Sequence, residues 1–258
     1  MKSAFKFLPR GFGSLLDYIS PSAFDVIDWA AALKKSLSIS RELVFESSVQ
    51  KYCKEFEVFL PNGIEFYQSK NSHLQKENTE NKIDAQRFGQ ILLEIYFLQI
   101  YQSDVVFLDL RAERFKNISE PRVIWRPNGL WYRFSNTFLD GIRGLYEGFY
   151  ASNESKLHES LYQLGLYSND MNPETKSELL ELLENHFGQG KNSPVEFKVV
   201  NFMKSFDCLF LFLKKEKLKL HEDFLFLGIY ILTLYMHLES LNCTLNISEA
   251  YNIASQKK

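Results

Sequence analysis

The stretch "VVFLDLRAERF" (105–115) sets Asp109 between Leu108 and Leu110 and follows it with Arg111, Glu113 and Arg114. A carboxylate flanked by apolar residues has the surroundings of a general base, if burial and neighbours tune its proton affinity. Two arginines three residues apart can grip a phosphate or carboxylate; on a solvated loop the same residues form local ion pairs of small worth. Asn128, in the turn signal "RPNG" (126–129), is a third candidate ligand-binding residue beside Arg111 and Arg114. His158, in "ESKLHESLYQLGL", is a second candidate base, although a histidine on an amphipathic helix is more often a core-edge residue.

Other chemistry is thinly represented. None of the five histidines (His73, His158, His186, His221, His237) has a Glu or Asp three residues before it, and neither HExxH nor a Cys/His zinc spacing occurs. A protein-bound metal is therefore not expected. "GQGK" (188–191) lacks the upstream Gly and the following Ser or Thr of a phosphate loop and reads as the end of a helix. "GFG" (11–13) is too short to be a nucleotide loop.

The elements that must position these residues are mainly helical. Ser22 is the expected N-cap of a helix through "SAFDVIDWAAALKK", and a second helix over "SRELVFESSVQKYCKEFEVF" ends at the turn "LPNG" (60–63). Residues 68–82 are polar with few apolar anchors and read as a loop. "DAQRFGQILLEIYFLQIYQ" opens on Asp84 as N-cap and is apolar nearly all round, as befits a helix at the centre of a core. The β-branched and aromatic residues on both sides of "RPNG" indicate a small hairpin or a pair of short strands. From 136 onward the pattern is helical, and Asn172-Pro173 followed by Gly188 is the most strongly marked helix start and stop.

The chain has 258 residues, 45% of them apolar and 24% charged, with a formal charge of -2. That length can bury a full core in one domain, here divided into an N-terminal extension (1–21) and a helical domain (22–258). The near-neutral charge gives no electrostatic reason to expect nucleic acid as a partner. With 23 Phe and 13 Tyr the core should be rich in rings, which could also enclose an apolar small molecule. Cys53, Cys208 and Cys243 form neither a disulfide framework nor a metal spacing, pointing to a reducing cytoplasm. The most apolar run, "FLFLGIYILTLYM" (224–236), falls short of the roughly 20 residues needed to span a bilayer, so a buried helix is expected, with peripheral membrane contact as the alternative.

The order of these segments resembles the C-terminal lobe of the UbiB/AarF family of atypical kinase-like proteins. The resemblance runs through "SRELVFESS", a long helix ending before "VVFLDLRAERF", the strand pair "VIWRPNGLWYRFS" and "DGIRGLYEGFYASNESKLHESLYQLGL", covering roughly residues 30–245. Glu42, Leu43 and Phe45 match the family's Glu-Leu-Asp-Phe helix, with Val44 in place of Asp. Phe107 and Asp109 match the Phe-His-Ala-Asp-x-His-Pro-Gly-Asn loop, but Arg111, Ala112, Glu113 and Arg114 replace the His, Pro, Gly and metal-binding Asn. Of Asp-Phe-Gly only Gly129 remains, and the segment before the first matched helix is too short for the family's nucleotide lobe.

Phosphoryl transfer needs metal ions to neutralise the phosphates, so the resemblance implies a kinase C-lobe-like fold without the means to hold ATP and its metal. The expected protein is a mainly helical domain with a minor β-hairpin that binds a protein partner or an apolar small molecule. The family further implies a link to quinone or isoprenoid lipids. The alternative is an enzyme with an aromatic-lined helical pocket and Asp109 or His158 as base.

Overall fold

The computed structural model describes residues 13–32, 34–35, 46–67, 83–119, 122–127, 130–187 and 190–257. The polar stretch 68–82, the Glu42–Phe45 motif and Asn128 lie outside the described residues. The chain is mainly helical with small sheets: α1 (Ala23–Val26), α2 (Glu46–Glu57), β1 (Ile64–Phe66), α3 (Ala85–Gln102), β2 (Val105–Phe107), β3 (Phe115–Ser119), β4 (Arg122–Trp125) and β5 (Trp131–Arg133) come first. There follow α4 (Asn136–Tyr150), α5 (Glu154–Gln163), α6 (Pro173–Phe187), β6 (Val195–Glu196), α7 (Val199–Lys215), α8 (Asp223–Leu241), β7 (Thr244–Leu245) and α9 (Ile247–Gln256).

Two helices make the centre. In α3 a continuous run from Ile95 to Ile100 is buried, and Asp84 caps its start by accepting the Arg87 amide at 3.0 Å. In α8, Leu225–Leu227 and Ile229–Leu234 are buried, so this helix too is apolar all round because it is surrounded. It runs 19 residues, longer than the apolar run alone suggests, and by length and composition it could cross a bilayer. Here most of it is covered by the rest of the fold. Around this pair, α4 packs closely on α5: a Cβ at Gly148 would stand 2.9 Å from Leu157 Cα, and one at Gly144 would stand 2.1 Å from Ser160 Oγ. Only glycine permits that approach.

The strands do not pair as neighbours around "RPNG". β4 joins β3 in an antiparallel hairpin and β1 in parallel, while β5 returns to β2, so the two strands flanking the turn signal belong to different sheets. The pair of short strands is present and the hairpin lies one connection earlier. Turn residues report a local bend; which strand completes the ladder is decided by distant hydrogen bonds and burial. β2 is buried along its whole length, and Trp131 and Tyr132 of β5 are buried with it.

The N-terminal helix is interrupted within its pattern: α1 ends at Val26, and helical conformation returns at 29–32 and 34–35. Ile27 leaves the helical conformation (ψ 139°) to bridge Leu220, whose amide bonds the Val26 carbonyl at 2.8 Å. Ser22 makes no cap bond; its hydroxyl donates to Asp207 on α7 at 2.7 Å. At Ile27 a tertiary partner has overridden local helix preference, and at Ser22 one has taken the capping hydroxyl. Within the extension, residues from 13 on pack onto the domain, with Leu15 fully buried.

Candidate functional site

Asp109 lies in the loop between β2 and β3, and the backbone of that loop is tied down almost group by group. The Phe107 amide donates to Gln99 Oε1 (2.7 Å) and the Leu108 amide to the Leu130 carbonyl (2.9 Å). Thr233, midway along α8, donates its hydroxyl to the Leu108 carbonyl (2.6 Å) and accepts the Leu110 amide (3.2 Å). One turn later His237 Nδ1 donates to the Leu110 carbonyl (2.7 Å). Gln99 in turn donates to the Tyr230 hydroxyl (2.6 Å), so α3 and α8 clamp the loop from two sides. Burial lowers the proton affinity of His237, which leaves its ring neutral with the proton on the nitrogen facing Leu110.

On this frame the structure brings Asp109, Arg111 and Arg114 together. Asp109 is 1% exposed. Arg111 grips it in a fork, Nε to Oδ1 and Nη2 to Oδ2, both at 2.8 Å, and Arg114 Nε reaches Oδ2 at 2.9 Å. The Arg111 amide adds a bond to Oδ1 at 3.3 Å. Burial alone would raise the affinity of this carboxyl for a proton, but the paired guanidiniums outweigh it and hold it below the usual carboxylate range. Glu113 sits farther out, its Oε1 at 3.4 Å from Arg111 Nη1 and 3.6 Å from Arg114 Nη2, with its side chain 53% exposed.

A carboxylate so held is a poor base: its oxygens are occupied and its proton affinity is depressed. His158 does not join it. It is exposed on α5, against Tyr167, and neither side chain lines the aromatic cavities of the core. One cavity, about 50 Å³, lies among Tyr18, Phe202, Phe206, Phe210, Phe224 and Gly228; another, about 40 Å³, is bordered by Tyr96, Tyr146, His186 and Tyr235. Both are far below the few hundred Å³ of a typical ligand pocket. His186 is largely enclosed there; it bonds Ser205 Oγ at 2.7 Å, and burial pushes its pKa down to about 3.

A second buried carboxylate was not signalled by motif. Asp223, at the start of α8, is fully buried; it accepts bonds from Lys35, from the Tyr132 hydroxyl, and from the amide and hydroxyl of Ser135 at 3.1 and 3.0 Å. Burial would raise its proton affinity, but Lys35 and these donors bring it below the ordinary value. His221, Glu222 and Asp223 place ligand atoms within 4.8 Å of one another. The Lys35 ammonium is already on Asp223, and His221 Nδ1 accepts the Asp223 amide at 3.2 Å, so the cluster is a satisfied helix start and is assigned no metal. The sequence sign was the run His-Glu-Asp before an apolar stretch, which reads equally as a helix opening.

Neither the protein-family models nor the curated proteins compared with the chain gave a match.

Proposed function

We propose that the chain is a non-catalytic binding protein with a kinase C-lobe-like arrangement, its former catalytic loop converted into a structural and binding element. The observation that carries this reading is the occupation of both Asp109 oxygens by Arg111 and Arg114. Arg114 stands at the spacing from Asp109 where a kinase loop keeps a metal-binding Asn, so a fixed cation takes the place of a metal ligand. Further support comes from the order of parts: a long helix, β2, the Asp109 loop, the β3–β4 hairpin, β5 returning to β2, and helix α4. The free thiols of Cys53, Cys208 and Cys243 accord with a reducing, cytoplasmic setting. The implied link to quinone or isoprenoid lipids has aromatic cavity walls in its favour and the small cavity volumes against it.

The test is thermal stability of the intact chain with ATP and magnesium, and separately with a short-chain quinone. The reading expects no magnesium-dependent shift with ATP. A nucleotide shift that requires magnesium, or phosphate release that disappears in Asp109→Asn, would overturn it.

A further inference from the structure

Helix α8 carries a glycine that its own packing does not require. Gly89, Gly141, Gly144 and Gly148 are each held to glycine by a neighbour, since a Cβ there would stand 2.8, 2.7, 2.1 and 2.5 Å from Leu245, Leu164, Ser160 and Leu157. At Gly228 a Cβ would meet nothing within 4 Å. Alanine there would favour the helix and fill space, so the position forgoes stability on both counts. The space belongs to the cavity that Gly228 lines together with Phe206 and Phe210 of α7.

The shape of the cavity restricts what can enter it. Its enclosed part, about 50 Å³, is about a third of the roughly 150 Å³ that accommodates a benzene ring. A ring does not fit, whereas the end of an unbranched chain does. Tyr18, Ile19, Met203, Phe206, Phe210 and Phe224 of the lining are each partly exposed, so the cavity opens to the surface between them, where the rest of a chain can lie on apolar side chains. The mouth also carries a charge. Ser20, another lining residue, donates its hydroxyl to Asp207 Oδ1, and Ser22 donates to the same oxygen at 2.7 Å. Oδ2 accepts no bond and Asp207 forms no ion pair among the described residues. The two hydroxyls hold its carboxyl below the ordinary proton affinity, with no cation contributing.

We propose that this cavity is a binding site for an unbranched alkylamine, whose chain end occupies the space beside Gly228 and whose ammonium pairs with Asp207 Oδ2 at the mouth. The two ends of the ligand follow from separate observations. Enclosed volume excludes rings, and an uncompensated carboxylate repels the head of a fatty acid while attracting an ammonium. Removal of the chain from water supplies most of the affinity, and the ion pair supplies selection. The site shares no residue with the Asp109 loop or its clamp and goes beyond the reading built on them.

The test is titration of n-decylamine, below its micellar concentration, into the intact chain carrying methyl-labelled methionine, without nucleotide or magnesium; failure here leaves the ATP experiment untouched. The Met203 methyl resonance, assigned with Met203→Leu, should shift saturably. Decanoate should bind more weakly than decylamine. Asp207→Asn, which keeps an oxygen for both serines, should weaken decylamine by roughly two- to fivefold, the worth of one exposed ion pair. Gly228→Ala should weaken it while raising Tm, which shows the fold intact, and Gly228→Leu should abolish binding. No saturable shift at Met203, decanoate bound as tightly as decylamine, or an unchanged decylamine affinity in Asp207→Asn or Gly228→Ala overturns the proposal.

Discussion

Asp109 is the desolvated charge of its cluster, whereas Arg111 and Arg114 can each turn towards water. Removing a partner from a buried charge is the costly direction. Arg111→Ala should therefore destabilise the chain by about 3–5 kcal/mol, and Asp109→Ala by less, with the double variant well short of the sum. Urea denaturation of the three proteins checks the order. The folded-state proton affinity of Asp109 lies below its unfolded value, so its contribution is complete above about pH 4 and is lost as the pH falls through the depressed value. His186 acts in a different window. Its ring stays neutral in the fold down to about pH 3, while the unfolded chain takes up a proton near pH 6.5. It therefore costs about 1.4 kcal/mol per pH unit between those values, and His186→Leu should flatten acid sensitivity there when urea midpoints are compared across pH. At this scale the sequence was legible where chemistry is local. The sequence offered Arg111 and Arg114 either as a grip on a phosphate or carboxylate or as partners in local ion pairs, but no sign that they would close on a buried Asp109. Nothing near His186 in the chain foretold that Phe202 and Phe206 would enclose it.

Helix α8 does two jobs at the scale of elements, filling the core with apolar side chains and holding the Asp109 loop with polar ones. Thr233→Val keeps the shape and removes the hydroxyl, leaving the Leu108 carbonyl and the Leu110 amide without their partner. A loss of about 1–3 kcal/mol is expected, with faster hydrogen exchange at the Leu110 amide than at amides within α3. An effect no larger than that of an exposed substitution would show the clamp to be unimportant. The central position of α3 and the capping of Asp84 were readable because periodicity and capping are local signals. Nothing local to Thr233 or His237 marks their role, since their partners lie more than a hundred residues away. The "RPNG" turn marked the two short strands but not their partners, and the Ser22 cap misdirected, for the same reason: each describes a few residues, and a distant strand or carboxylate decided the outcome.

Over the whole molecule, helix order and the predominance of helix follow from composition and periodicity, while the strand pairings do not, because short ladders are fixed by non-local contacts. That non-locality has a consequence in time. The groups of α8 that hold the loop lie 123 to 127 residues downstream of it. At about 5–20 residues per second of synthesis, the loop leaves the ribosome on the order of ten seconds before they exist. Until then Asp109 and its arginines are an ordinary hydrated stretch of nascent chain. The frame that holds the loop is thus assembled only after α8 has been made.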